Sequence, residues 1–375
     1  MIINDNAKKK ILIVTDFYHP HISGITNSID LSIKTLIKNN FKITILTGNY
    51  TGKLKEIEHE GNIKIIRTKI LFNFSRGFYS IDLIRKFITE SNKNDMVNIH
   101  YPLAEIFPLI FLTQKPIIFN YHCLPSYKSW FLKIITLYFY LFGIISLKIS
   151  KNIIVFSKDY FLDFFLHKFF NKKLTEILPF SIVSPNKFEK KDTKKNKNFH
   201  IGYLGRLSEE KGIVSLVTAS RILNHKKISH TLSIAGDLSD KRFKNYIDKI
   251  KKLCAQNQSI KLIGKINEAE KNNFFKEIDI LILPSINSFE ALGIVQLEAM
   301  MYGVPVIASN LPGVRVPILK TGNGYLFKSG DVIDLVAKIL ILKNKKLNTK
   351  EEIKEICLKY FNKEQFEKKL LNLFI

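Results

Sequence analysis

Asn287-Ser288-Phe289-Glu290-Ala291-Leu292-Gly293-Ile294-Val295-Gln296-Leu297-Glu298-Ala299-Met300 is the stretch whose reading decides the fold. An apolar strand, Ile280 to Leu283, precedes it. Gly303-Val304-Pro305-Val306-Ile307-Ala308 follows, a helix stop and then another strand. The two carboxylates, Glu290 and Glu298, stand eight positions apart across a strand-to-helix junction. Glu290 falls on the loop, and Glu298 inside a helix that begins near Gly293. Between them lie a glycine turn and a helix N-terminus, whose outward N–H groups favour anions.

Working outward, short apolar strands recur in both directions. Upstream, Ile11 to Val14, Phe41 to Leu46, Ile63 to Arg67, Val97 to Ile99, Ile117 to Phe119 and Ile153 to Phe156 read as strands. Ser28 to Lys38 has the apolar spacing of a helix. After a break, His200 to Leu204, Thr231 to Ala235, Lys261 to Ile263, Ile280 to Leu283 and Val304 to Ala308 repeat the pattern. Strands alternating with helices predict parallel sheets built from βαβ units, in two Rossmann-like halves. The boundaries read as 1–183 for the first half, 184–198 for a lysine-rich linker that cannot bury surface, and 199–360 for the second. An amphipathic helix over 361–375 ends the chain.

At 375 residues and 46% hydrophobic content, the chain is long enough for two packed domains. Cys123, Cys254 and Cys357 are scattered, which argues against a disulfide framework or zinc site and fits a reducing compartment. No signal peptide is legible. The formal net charge of +25 implies anionic surroundings or a compositional bias toward lysine. No motif for reading nucleic acid accompanies it. Ile134 to Leu147 runs 14 residues without a charge, bracketed by Lys133 and Lys148. A bilayer span needs about 20 apolar residues, so 130–147 reads either as a helix lying on a membrane surface or as a core helix.

The second half opens with Gly202-Tyr203-Leu204-Gly205-Arg206-Leu207-Ser208-Glu209-Glu210-Lys211-Gly212. A strand, a glycine turn and then an Arg and a Lys at a helix start suit a leaving diphosphate. An Arg fork grips two phosphate oxygens, and a Lys acts as a point charge. In the first half, Gly24 permits close backbone approach after the first strand. Asn98-Ile99-His100 and Asn120-Tyr121-His122 each place a His at the carboxyl end of a strand, where open α/β sheets bind ligands.

Taken together, Gly-Arg-Leu-x-x-x-Lys-Gly and Glu-x7-Glu in this order resemble the retaining glycosyltransferases of the GT-B fold, glycosyltransferase family 4 most closely. The resemblance implies an α/β GT-B architecture, two Rossmann-like domains with parallel sheets facing a central cleft, the last helix returning to the first domain. It implies that Arg206 and Lys211 hold a donor diphosphate and that Glu298 binds ribose. Glu290, Leu292, Gly293 and Ile294 would orient the sugar, and His122 would line the reacting ring. Gly24 would approach the phosphates. Gly236 and Ile266 stand where the family contacts the donor, with a plain turn as the alternative for both.

The implied reaction moves a hexose from a UDP- or GDP-sugar to a hydroxyl of a membrane-associated glycolipid, lipopolysaccharide or polysaccharide, with retention. No cofactor or essential metal is expected, since the Asp-x-Asp motif of metal-dependent GT-A enzymes is absent. The expected place is cytoplasmic, peripheral on an anionic membrane face. Rival readings are a GT-B-like sugar-nucleotide epimerase and a non-catalytic basic membrane or nucleic-acid binder. Residues 50–95 match no readable motif.

Overall fold

The computed structural model describes residues 9–74, 77–123, 132–162, 167–181, 198–287, 289–345 and 348–375. The linker reading of 184–198 therefore lies almost wholly outside the described residues. The chain divides into two compact units, residues 1–178 with 364–375, and residues 179–363.

The first unit is built on an eight-stranded sheet. Its strands are β1 (Lys10–Val14), β2 (Lys42–Gly48), β3 (Ile57–Glu60), β4 (Ile63–Thr68), β7 (Met96–Tyr101), β8 (Ile117–Tyr121), β9 (Asn152–Val155) and β10 (Leu174–Glu176), while β5 (Phe72–Phe74) and β6 (Gly77–Tyr79) pair apart from it. The order is β10-β9-β8-β7-β1-β2-β4-β3. Every neighbouring pair is parallel except β3 with β4. Ile11, Leu12, Ile13 and Val14 are all fully buried, as a strand covered on both faces requires. Helices α1 (Gly24–Lys38), α2 (Ile81–Lys93), α3 (Ile106–Leu109), α4 (Leu132–Ile149) and α5 (Lys158–Leu162) complete the unit.

The second unit has a six-stranded, wholly parallel sheet: β11 (Phe199–Leu204), β12 (His230–Ala235), β13 (Ile260–Gly264), β14 (Ile280–Leu283), β15 (Val306–Ser309) and β16 (Gly324–Phe327), in the order β13-β12-β11-β14-β15-β16. Its helices are α6 (Ile213–His225), α7 (Lys244–Ala255), α8 (Glu268–Glu277), α9 (Val295–Met301), α10 (Val316–Thr321), α11 (Val332–Asn344) and α12 (Lys350–Tyr360). Strand order reverses between β11 and β14 here, and between β1 and β7 in the first unit. Loops diverge at such switch points and leave a crevice at the strands' carboxyl ends.

All the strands expected from apolar runs form. Those not foreseen (β3, β5, β6, β10 and β16) are short and largely unburied, so no buried apolar run marks them as it marks β14 and β15. Helix α4 has two characters. Phe139, Ser146 and Leu147 are buried against the first unit, while Ile134, Leu137 and Leu141 face outward at spacings of three and four. Among the described residues, no helix is long and apolar enough to cross a membrane.

The final helix, α13 (Lys363–Phe374), belongs to the first unit. Phe366, Leu370 and Phe374 recur every four residues and are all buried. The Phe374 ring centroid lies 6.5 Å from that of Phe41 in edge-to-face geometry. Lys9 Nζ donates to the Ile375 carbonyl at 2.7 Å, and Lys369 Nζ to that of Glu176 at 3.1 Å. Phe374→Ala should lower the first unit's stability by about 3–5 kcal/mol in urea unfolding, because the emptied site is fully enclosed. A loss below about 1 kcal/mol would mean that the helix is only laid on the surface.

Candidate functional site

In the second unit the switch point brings the Arg-Lys segment and the Glu block together. The loop after β11 donates nothing to chance: Tyr203 Oη hydrogen-bonds the Arg206 carbonyl at 2.7 Å and fixes the turn. Ile286 N donates to the Glu210 carbonyl at 2.9 Å, tying this loop to the one after β14. Gly212 adopts φ +64°, and a Cβ there would collide with the Pro284 carbonyl oxygen. Only glycine fits such a left-handed residue pressed on backbone.

That seam places Lys211 Nζ in direct ion-pair contact with Glu290 Oε2, across 79 residues of sequence. Both side chains are mostly buried, at 19% and 13% exposure, so the pair is less screened than a surface salt bridge. Arg206 Nη1 lies 3.9 Å from Glu210 Oε1, and its guanidinium stands 6.0 Å from the Phe243 ring centroid. Burial, followed by the nearby Glu290 charge, raises the Tyr203 phenol well above its usual range, so it stays a neutral donor.

Glu298 sits in the first turn of α9, with Glu298 Oε1 2.9 Å from Lys271 Nζ on α8. Lys271 also reaches Glu268 at 3.0 Å. Burial works against the Lys271 cation, but Glu298 and Glu268 outweigh it and raise its pKa. Lys271 had no legible signal in the sequence, since its role depends on two helices meeting. Gly293 turns at φ +76°, where a Cβ would strike Leu283. Leu292 is buried, and its carbonyl accepts Gln296 Nε2 at 2.7 Å. Ile294 occupies the cap position of α9.

Gly236 packs on the Gly205 carbonyl oxygen, and its N–H donates to the Gly264 carbonyl at 2.9 Å. Glycines thus sit together at the ends of β11, β12 and β13. Ile266 is half-buried just before Asn267, which caps α8.

The first unit carries a different chemistry. Gly24 opens α1, and Ser23 caps it: Ser23 Oγ accepts from Thr26 N at 3.2 Å, and Thr26 Oγ1 accepts from Ser23 N at 2.7 Å. His122 follows β8 and is buried. His100 Nδ1 and His122 Nε2 are 2.9 Å apart, and the rings stack with centroids 5.1 Å apart. His100 pairs in register with Asn120, so His122 lies two positions on and on the same face. Asn98 and Asn120 form the preceding rung by direct amide contact. The repeated Asn-x-His pattern was the signal for this ladder.

Burial holds the His122 imidazole down to about 3, and burial and His122 together push His100 well below its usual value. Both rings are neutral hydrogen-bonding groups near pH 7, not proton carriers.

Asp16, after β1, and Glu105, after β7, flank the first unit's switch point. Asp16 Oδ1 and Glu105 Oε2 are both buried and make no hydrogen bond among the described residues. Burial, and then the Glu105 charge, raises Asp16 well above the carboxylate range. Burial raises Glu105 to about 7, despite the hydrogen bond it accepts from Ser80 N. Unfolded, Glu105 ionises near its ordinary 4.5. The folded state therefore keeps the proton longer, and its stability falls as pH rises from 4.5 to 7. Glu105→Gln keeps the acceptor for Ser80 and removes this loss. It should match the wild type near pH 4 and exceed it above pH 7 by up to about 3 kcal/mol in urea unfolding. Parallel stability profiles for the two proteins would refute the assignment.

Among the described residues, no cluster of three His, Cys, Asp or Glu side chains could hold a metal ion.

The profile of the family described as Glycosyl transferases group 1 matches residues 184–357. The chain is 27% identical over 343 residues to the capsular polysaccharide biosynthesis glycosyltransferase CapM of Staphylococcus aureus, covering 85% of this chain and 86% of that one. In fold it is similar to the sucrose-phosphate synthase of Thermosynechococcus elongatus, with a TM-score of 0.78 at 16% identity and 98% coverage of both chains. It is also similar to Anabaena HepE, solved in complex with UDP, with a TM-score of 0.74, 17% identity and coverage of 97% and 99%.

Proposed function

We propose that this chain, which belongs to the glycosyl transferases group 1 family and has the GT-B fold, moves a hexose from a UDP- or GDP-sugar to a hydroxyl of a membrane-held glycan or glycolipid acceptor in envelope polysaccharide synthesis. The observation that carries the reading is the seam joining Lys211 to Glu290, which assembles cations and carboxylates at one switch point. The UDP found in HepE and the pathway named for CapM support the donor and acceptor classes.

In this reading Arg206 and Lys211 bind the diphosphate. Charge builds on the leaving phosphate as the glycosidic bond breaks, so preformed cations stabilise the transition state more than the ground state. Lys211 then exchanges part of its pairing with Glu290 for phosphate oxygens. Glu290 turns to the sugar hydroxyls, with the Leu292-Gly293-Ile294 turn beside it. Glu298, held by Lys271, accepts hydrogen bonds from the ribose. Gly236 and Ile266 border the nucleotide. In the first unit, His122 takes the sugar-facing role as a neutral group fixed by His100, and Gly24 leaves its turn open.

Transfer with retention breaks the bond from the anomeric carbon to the phosphate oxygen and forms one to the acceptor oxygen on the same face. The acceptor's proton passes to the leaving phosphate. No metal or cofactor enters this scheme. The protein would work as a peripheral protein on the cytoplasmic face of the membrane.

Melting curves with UDP, GDP, ADP and their sugars test the donor site. One diphosphate, at about one hundred times its Kd, should stabilise the fold by about 2.7 kcal/mol. Arg206→Ala and Lys211→Ala should abolish the effect, whereas an intact response with either variant, or none with any nucleotide, overturns the proposal. Glu290→Gln should keep the nucleotide response and lower transfer to an acceptor by about a hundredfold or more, as measured by sugar release from the donor.

A further inference from the structure

The first unit carries exposed apolar side chains, among lysines, on three neighbouring elements that the transfer chemistry does not use. On α4, Ile134, Leu137 and Leu141 are 63%, 55% and 48% exposed and lie on one stripe. Beside that stripe, Phe107 of α3 is also exposed, its ring 4.3 Å from that of Phe142. At the carboxyl end of α4, the short 3-10 turn His167–Lys173 is tied on by Lys173, whose Nζ donates to the carbonyls of Lys148 and Ser150 at 2.6 and 2.9 Å. Within this turn Phe170 is buried, while Phe169 is 80% exposed. Nothing in folding a soluble unit favours turning one phenylalanine of an adjacent pair fully to water.

Charge identifies the occupant. From Ile106 to Lys173, which spans all three elements, the sequence contains nine Lys against two acids, Asp159 and Asp163. Lys133 and Lys148 bracket the α4 stripe, and Lys168 and Lys172 bracket Phe169. Two copies of so basic a face would repel each other, whereas an anionic lipid surface attracts it. Each lysine near such a surface strengthens adsorption about fivefold. A helix of this kind lies in the headgroup plane, its apolar side about 5–10 Å deep.

We propose that α3, α4 and the 167–173 turn form one docking face for an anionic bilayer, with Phe169 as the anchor at the carboxyl end of α4. The proposal deepens, and rests on, the reading of a membrane-held acceptor. It adds a second contact element that the charge-free run of residues 134–147 does not contain.

Co-sedimentation of the full chain with vesicles tests it, using phosphatidylcholine alone and phosphatidylcholine with one third phosphatidylglycerol. Binding should require the anionic lipid and weaken in high salt. Phe169→Ser and Leu137→Ser should each reduce it about tenfold, because an inserted apolar side chain is lost, with the nucleotide melting response unchanged. Phe169→Ser binding as the wild type does, no binding by the wild type, or a lipid-independent dimer that Phe169→Ser dissolves would each overturn the proposal. Vesicle binding that persists where no nucleotide shifts the melting curve supports the docking face and counts against the donor reading instead.

Discussion

Gly212 has no room for a side chain, and much of the second unit's chemistry depends on that constraint. Its backbone lies on the Pro284 carbonyl, and one hydrogen bond, Ile286 N to Glu210 O, runs beside it. Two loops distant in sequence are thereby held by backbone rather than by side chains. Backbone contacts cannot rotate away as a lysine or glutamate can, so Lys211 and Glu290 meet without ordering themselves from scratch. The entropy of fixing two long side chains, about 1.5–2 kcal/mol each when fully immobilised, is partly met by the fold before any ligand arrives.

The two units manage charge in opposite ways. In the second, each cation of interest has a carboxylate partner: Arg206 with Glu210, Lys211 with Glu290, and Lys271 with Glu298. Such pairs hold charged groups in a partly dry site, where a bare cation would be costly. At the first unit's switch point burial removes charge instead, although elsewhere in that unit buried Arg67 pairs with Glu58 at 2.7 Å. His100 and His122 are neutral, and Asp16 and Glu105 hold on to protons. The former environment suits a polyanionic ligand, and the latter a neutral one.

How much of this was legible in the sequence follows from range. The strands at Ile11 to Val14 and Ile280 to Leu283 were readable because burial on both faces demands an unbroken apolar run. Gly205 and Gly293 were readable as turns, since each lies between a strand and a helix. The partner of each site residue was not. Lys271 meets Glu298 only because α8 and α9 flank adjacent parts of one sheet, and no periodicity encodes that. Glu105 looked like an ordinary acid in an apolar stretch, and its burial depends on Ser80 and Asp16 arriving from two other elements. His100 is the intermediate case. The Asn-x-His pattern occurs twice, and period two puts each Asn and His on one face. That the two strands are neighbours in register is information only the sheet supplies.

The α4 segment shows why composition left two readings open. A charge-free run of apolar residues has no polar face to betray its orientation, so helical periodicity carries no signal in it. The fold gives the helix both a packed and an exposed side: one packs under Tyr101, whose Oη donates to the Phe139 carbonyl at 2.7 Å, and the other faces out. A helix apolar all round at the edge of a unit leaves apolar area on its outer side in water, at a cost that grows with that area. The lysines at its two ends and the acid-free run of residues 106–158 then matter more than the total charge. A bias toward lysine spread evenly over the chain would make the whole surface basic, whereas a stretch emptied of acids concentrates the field on the side where the apolar residues already lie.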